Sequence, residues 1–228
     1  MRIRTGVGNR VVFNQTHFRY GLQPYWLYFI LAGWVTSESS VLELGSGAGR
    51  SSLALRVASA AGGYSGSYTG IDVDPELVDW CQRNYPPNFR FLTLDVHTKA
   101  YNPAGEVRGS FELPVADSSQ DFVLAMSLFT HLLEDDLGRY LEEAYRVTRP
   151  GARLFASVFC VEHMSGRLGS RWTFAHRIGA AHVESRRIPE AAVAYSEEWL
   201  LRRSREAGFA EASLPPMRTG QSLLWLVK

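Results

Sequence analysis

Three glycines, Gly45, Gly47 and Gly49, stand at alternate positions directly after the apolar run VLEL. An acid, Glu43, interrupts that run two residues before the first of them. Glycine between a strand and a helix lets backbone pass close to a ligand and take positive φ. The helix that follows offers free N–H groups. Such a loop wraps a nucleotide-like molecule; the alternative is a tight strand-to-helix turn. Dinucleotide loops use the spacing G-x-G-x-x-G, whereas position 50 here is Arg50. That spacing speaks against a nicotinamide or flavin cofactor. The Glu43 carboxylate suits a ligand with a positive end better than a pyrophosphate. Two further acids, Asp72 and Asp95, end later apolar runs, and His131 follows another.

The elements that must position these groups alternate regularly. Residues 40–45 read as a strand buried on both faces, and 50–61 as a helix stopped by Gly62 and Gly63. A second strand spans 68–73. Asp74 then caps a helix with Pro75 at its first position, and Pro86 and Pro87 end it. Strands follow at 89–96 and 121–129; between them, 97–119 carry turn signals and no strong period. Leu133, Leu137, Tyr140, Leu141, Ala144 and Val147 recur at helical spacing. Glu134, Asp135 and Asp136 occupy that helix's first turn, where its dipole favours acids. Pro150 and Gly151 close it before a strand at 152–159. Residues 161–195 read as irregular, and Ser196 caps a last helix, 196–208. Two final strands, FAEASL and QSLLWLVK, are too close together for a helical crossover and predict an antiparallel hairpin. The alternation predicts an α/β fold: a mostly parallel seven-stranded sheet with helices on both faces. We expect one domain over 1–228, with a lid region at 1–37 and an insert at 161–195.

Composition narrows the function. At 46% hydrophobic, 228 residues sustain one real core. With 24 basic and 23 acidic residues, no electrostatic footprint for nucleic acid exists. Arg202, Arg203 and Arg205 read as the solvated face of a late helix. Cys81 and Cys160 lie far apart and read as reduced, buried thiols of an intracellular protein. Neither belongs to a metal-ligand spacing, and no metal is expected. The start lacks the apolar core of a secretory signal. YWLYFILAGWV, at 25–35, is about half of the ~20 residues that cross a bilayer. It reads as a buried or half-buried helix, with a hydrophobic lid over a ligand as the alternative. These features predict a cytoplasmic protein without a membrane span.

VLELGSGAG resembles motif I of the class I methyltransferases that use S-adenosylmethionine, and GIDVDPELV resembles their second motif. The stretch LPVADSSQDFVLAMSLFTHLLEDDLGRYLEEAYRVTRPGARLFASVF, at 113–159, is similar to their fourth to sixth motifs. The terminal hairpin matches their seven-stranded sheet. The resemblance implies S-adenosylmethionine as cofactor and S-adenosylhomocysteine as product. It places Asp72 on the ribose hydroxyls and Asp95 on the adenine amino group, with the Val96 N–H near the ring and Val73 on its face. Gly45, Ser46 and Gly47 supply backbone contacts to the methionine end, with Gly49 in the same loop. Glu43 orients that end directly or through water, and Ser127 lies beneath the sulfonium.

A sulfonium methyl is already activated, so transfer needs an in-line nucleophile and exclusion of water. A hydroxyl or amine nucleophile also calls for a base. His131 is the candidate, since its ordinary pKa near ~6.5 suits proton acceptance at cell pH; a helix-capping or loop-holding role is the alternative. His97, His163, His176 and His182 lie in irregular segments and read as surface residues, with a base role for any one of them as the alternative. Tyr20, Tyr25, Trp26, Trp172 and Tyr195 are expected to wall an acceptor pocket between the N-terminal region and the insert. YNPAGEV, at 101–107, resembles bacterial members of the family that act on sugars or other secondary metabolites. The expectation is therefore O-methylation of a hydroxylated small molecule. N- or C-methylation of a small molecule or protein, and cofactor binding without catalysis, are the alternatives. SLFT at 127–130 replaces the Asn-Pro-Pro-Tyr-like tetrad of base methylators. The expected partner is the small-molecule acceptor, with a homodimer as a further expectation.

Overall fold

A computed structural model describes residues 2–5, 9–12, 25–164, 172–215 and 220–228, the first two segments as backbone only. Arg2–Thr5 (β1) and Asn9–Val12 (β2) form an antiparallel pair. Next come Tyr25–Leu31 (α1), Val41–Leu44 (β3), Leu53–Ala60 (α2), Tyr68–Asp72 (β4), Pro75–Asn84 (α3), Phe89–Thr93 (β5) and Gln120–Ala125 (β6). A 3-10 turn, Phe129–His131, leads into Glu134–Val147 (α4), Thr148–Cys160 (β7) and Val161–Met164 (α5). His176–Ile178 (β8), Ala181–Val183 (β9) and Val193–Tyr195 (β10) precede Glu197–Glu206 (α6), Glu211–Ser213 (β11) and Ser222–Val227 (β12).

The central strands run β5-β4-β3-β6-β7, all parallel. β12 lies antiparallel beside β7, with Leu224 opposite Ala156, and β11 closes the hairpin outside it. These seven strands are the predicted sheet. The insert departs from its irregular reading. Its β10 pairs parallel with the last residues of β7, and β9 and β8 continue outward antiparallel. Strands of three residues are too short to display a period of two, which is why HRI, AHV and VAY pass unseen in the sequence.

Side chains alternate across β3. Leu42 and Leu44 enter the core under α4 and α6, where Leu137, Leu141, Trp199 and Leu200 are buried. Val41 enters the opposite core with Trp26 and Phe29 of α1, Leu55 of α2 and Val78 of α3. The α1 stretch is therefore half-buried: Phe29 packs on Phe122 and Phe155 at centroid distances of 4.7 and 4.9 Å, while Leu27 and Leu31 are exposed. Among the described residues no helix is long and apolar enough to cross a membrane. Cys81 and Cys160 are buried free thiols.

Local signals hold where chemistry specifies them. The Asp74 carboxylate accepts the amides of Glu76 and Leu77 at 2.9 and 3.3 Å, and Ser196 Oγ accepts that of Trp199 at 3.2 Å. Arg203 departs from its solvated reading. Its guanidinium pairs with Glu142 at 2.7 Å and covers Gly138, where a Cβ would stand 2.5 Å from Nη2. Helix α4 also buries a charge. Glu143 accepts the Leu113 amide at 2.7 Å and pairs with Arg146 at 2.7 Å and Arg139 at 3.0 Å. Burial pushes this carboxyl up, but the Arg146 hydrogen bonds, the Leu113 amide and the two arginine charges outweigh it and hold the group below its ordinary range.

Glu143→Ala is expected to destabilise the fold by about 3 kcal/mol, because one partner of a buried pair is lost and the Leu113 amide is left bare. The folded pKa is depressed, so this contribution is present above the unfolded value near ~4.3 and is lost as pH falls through the lower folded value. Urea unfolding of both proteins across pH checks it; a difference that stays constant down to pH values below that range would contradict the assignment.

Candidate active site

The glycine loop leaves β3 at the carboxyl edge of the sheet. Gly45 and Ser46 both donate their amides to the Ile71 carbonyl, at 2.8 and 3.0 Å. Gly47 donates to Asp72 Oδ2 at 2.7 Å, and Gly49 to the Ser46 carbonyl at 2.9 Å. These four amides are engaged within the protein, so any backbone contact from Gly45, Ser46 or Gly47 to a ligand runs through carbonyl oxygens. Carbonyls suit a cationic group, in keeping with an ammonium end. Gly47 has φ +52°, and a Cβ there meets no described atom within 4 Å, so its open side is free for a ligand. Gly49 serves packing instead: a Cβ would stand 2.5 Å from the Tyr85 hydroxyl, which donates to the Gly49 carbonyl. The Ser46 hydroxyl is buried against Gly70 and has no hydrogen-bond partner among the described residues.

Three adjacent strands carry the three acids, Asp72 and Asp95 at the carboxyl edge and Glu43 inside β3. Asp72 ends β4 and accepts the Asp74 amide on Oδ1 at 3.0 Å as well as the Gly47 amide on Oδ2. Each carboxylate oxygen has a second lone pair, so two hydroxyls can still be accepted. Burial raises this carboxyl above its ordinary value, and the amides of Asp74, Gly47 and Val73 pull it back only in part. Val73 is half-buried beside it. Asp95 is exposed just past β5, held by Asn102 Nδ2 at 3.3 Å and the Glu106 amide at 3.4 Å. The Val96 amide donates to the Leu94 carbonyl at 2.8 Å. Ser127, with φ +56°, turns the chain out of β6 and is exposed; its amide donates to Ser157 Oγ at 2.7 Å.

Glu43 sits below this rim. Strand alternation places it on the Val41 side of β3, where only 1% of it is exposed and the Tyr68 hydroxyl donates to Oε2. Burial pushes its carboxyl up to about 7, with the Tyr68 and Ser51 hydroxyls opposing. The Tyr25 phenol is close to the same carboxylate and to Ser51, and burial raises its own pKa. Tyr68 reaches this carboxylate from the neighbouring strand β4 and Ser51 from the turn before α2, and neither position carries a signal in the sequence.

His131 ends the 3-10 turn after β6. Its Nδ1 lies 2.9 Å from the Tyr101 hydroxyl and 2.9 Å from the Glu190 carbonyl oxygen. Burial lowers its pKa, and the Glu190 and Ala191 main chain and the Glu190 charge offset this in part. The Glu190 carboxylate accepts the amides of Lys99 and Ala100 at 3.1 and 2.6 Å. Of the expected pocket aromatics, Trp26 and Tyr195 are corrected to core residues. Trp26 is buried and donates Nε1 to the Ser51 carbonyl. Tyr195 is buried, stacks on Trp199 at 4.1 Å and donates to the Leu132 carbonyl. The Tyr25 ring packs on Trp26, Phe29 and Phe155. Trp172 is half-buried against Phe159 and Phe174 at the end of β7. Tyr20 lies outside the described residues. His163 departs from its surface reading: Nδ1 is 2.7 Å from Ser222 Oγ and Nε2 3.4 Å from Glu197.

A carboxyl whose folded pKa is raised binds its proton more tightly in the folded state. Its stabilisation is therefore complete below the unfolded value and drains as pH rises to the folded one, about 7 for Glu43. Glu43→Gln is expected to flatten the fall in ligand-free stability between about pH 4.5 and 7. Thermal denaturation across that window reads this out, and an unaltered pH slope in the variant would exclude the buried acid as its source.

The description "methyltransferase domain" belongs to the family model that matches residues 42–156, half of the chain. Solved structures agree on the fold. A methyltransferase dependent on S-adenosylmethionine from Aquifex aeolicus aligns at a TM-score of 0.53 and 20% identity, over 94% of this chain and 98% of that one. The 1,6-didemethyltoxoflavin N1-methyltransferase of Burkholderia thailandensis, with bound 1,6-didemethyltoxoflavin and S-adenosylhomocysteine, aligns at 0.54 and 19%, over 94% and 79%. A methyltransferase from Mesorhizobium loti aligns at 0.58 and 12%, over 87% and 96%. With half of its length matched by that model, the chain belongs to the methyltransferase-domain family and is a class I S-adenosylmethionine-dependent enzyme.

Proposed function

We propose that this enzyme methylates a hydroxyl group of a small-molecule acceptor, a sugar or another secondary metabolite, with His131 as general base. When bound, the sulfonium supplies an electrophilic methyl group. Asp72 would take the ribose hydroxyls on its spare lone pairs, Asp95 the adenine amino group and Val73 the adenine face. The carbonyls of Gly45 to Gly47 would meet the ammonium, and Ser127 would lie beneath the sulfur.

The observation that carries the base assignment is the placement of His131. It ends the turn four residues beyond Ser127, and burial disfavours its charged form. A neutral imidazole at cell pH accepts the proton that a hydroxyl must lose as its oxygen bonds to the methyl carbon. Tyr101 adds a hydroxyl next to this ring, and Trp172 with Phe159 and Phe174 offers an apolar wall. The near-zero net charge disfavours nucleic acid as acceptor. The small molecule held by the Burkholderia thailandensis enzyme supports the size class.

Two variants separate the halves of this reading. Asp72→Ala is expected to weaken S-adenosylhomocysteine binding by about 1–3 kcal/mol, since it leaves polar partners unpaired; unchanged calorimetric affinity would remove the ribose assignment. His131→Ala is expected to keep that affinity while transfer to a hydroxylated acceptor slows by about 10²–10⁴-fold. In the native enzyme kcat/KM should rise with pH through a value below the ordinary histidine pKa. Full activity of the variant, or a product methylated on nitrogen, would overturn hydroxyl transfer through this base.

A further inference from the structure

Three segments far apart in sequence meet at one residue of the insert. Glu190 accepts the Lys99 amide on Oε1 at 3.1 Å and the Ala100 amide on Oε2 at 2.6 Å, while its main-chain carbonyl lies 2.9 Å from His131 Nδ1. The gripped turn is tight: Thr98 bridges to Asn102, and Thr98 Oγ1 accepts the amides of Tyr101 and Asn102 at 2.9 and 3.0 Å. Tyr101, the next residue along, sets its hydroxyl 2.9 Å from the same Nδ1 and its ring edge-on to the imidazole at 5.1 Å.

A carbonyl oxygen only accepts, so a close Nδ1 without hydrogen would set lone pair against lone pair. The proton of the neutral ring therefore resides on Nδ1, directed to the Glu190 carbonyl. Tyr101 then meets the protonated side of the ring, and the lone pair falls to Nε2.

We propose that Glu190 is the positioning residue of the acceptor side: its carbonyl holds the His131 proton on Nδ1, so that Nε2 faces the acceptor, and its carboxylate binds the Tyr101 turn to the insert. Proton transfer then runs from the acceptor hydroxyl to Nε2 as carbon–oxygen bonding replaces carbon–sulfur bonding, and the imidazolium keeps its Nδ1 hydrogen bond. This assignment rests on His131 being the base, yet the position of its resting proton is measurable without turnover.

Uniform ¹⁵N labelling of histidine in the full chain, with long-range ¹H–¹⁵N correlation at neutral pH, reads the tautomer; His131→Asn identifies the signal. The native protein should show His131 protonated on Nδ1, and Tyr101→Phe should leave that unchanged. A proton on Nε2 in the native protein overturns the proposal, since the phenol would then be the donor to Nδ1; a switch of tautomer in Tyr101→Phe overturns it too, since the phenol oxygen and not the Glu190 carbonyl would then hold the Nδ1 proton. Glu190→Ala should lower kcat at least tenfold with S-adenosylhomocysteine affinity retained, and Glu190→Gln, which keeps one oxygen for the turn, should recover part of it. Unchanged kcat in Glu190→Ala would overturn the carboxylate's role; should that variant fail to fold, unchanged kcat in Glu190→Gln does the same. A native Nδ1 proton together with full activity in His131→Asn would dismiss the base and leave the ring's anchoring intact.

Discussion

One hydrogen bond, from the Gly47 amide to the Asp72 carboxylate, joins the tips of β3 and β4, and the site's shape follows from it. Gly47 has φ +52°, and its amide reaches the neighbouring strand rather than the loop itself. Asp72 receives it at 2.7 Å and receives Asp74 with its other oxygen, so a single carboxylate fixes the loop and the start of α3 together. A carboxylate anchored on both oxygens loses little freedom on binding, which is the advantage of preorganisation. The same bond shows why glycine spacing here differs from that of a dinucleotide site. Three loop amides serve β4, which leaves carbonyls and acids at this edge.

Below this rim the protein tolerates a carboxyl that has no exposed face. Glu43 is buried at the centre of the sheet, and its environment raises its pKa to about 7. Tyr68 donates to it, Ser51 opposes the effect of burial, and the Tyr25 phenol lies near. A buried carboxylate is costly to ionise, and the Arg50 charge offsets only part of that cost.

The surroundings of His131 follow a different principle. Their parts belong to the turn after β5, the turn after β6 and the insert after β7, and none forms a regular element of useful length. Hydrogen bonds converging on Glu190 supply the rigidity that helices and strands supply on the cofactor side. Loops held in this way can vary without disturbing the sheet, in keeping with function residing on loops over a fixed scaffold.

The sequence by itself determined the strand–helix alternation, the terminal hairpin, the Asp74 and Ser196 caps and the three acids of successive strands. Each of these rests on local chemistry: propensity, capping, periodicity and glycine spacing act within a few residues. It also marked His131, because FTHL follows an apolar strand. Only the tertiary structure decided which groups are buried and which lie at the sheet edge. It consigned Trp26 and Tyr195 to the core, turned the Val96 amide back to Leu94, gave Gly49 to Tyr85, and placed Glu43 under Tyr68. It also joined Glu190 to Tyr101 and His131 across 59 or more positions of chain. Such contacts depend on register between strands and on where short loops cross, and a sequence pattern of period two or 3.6 carries neither.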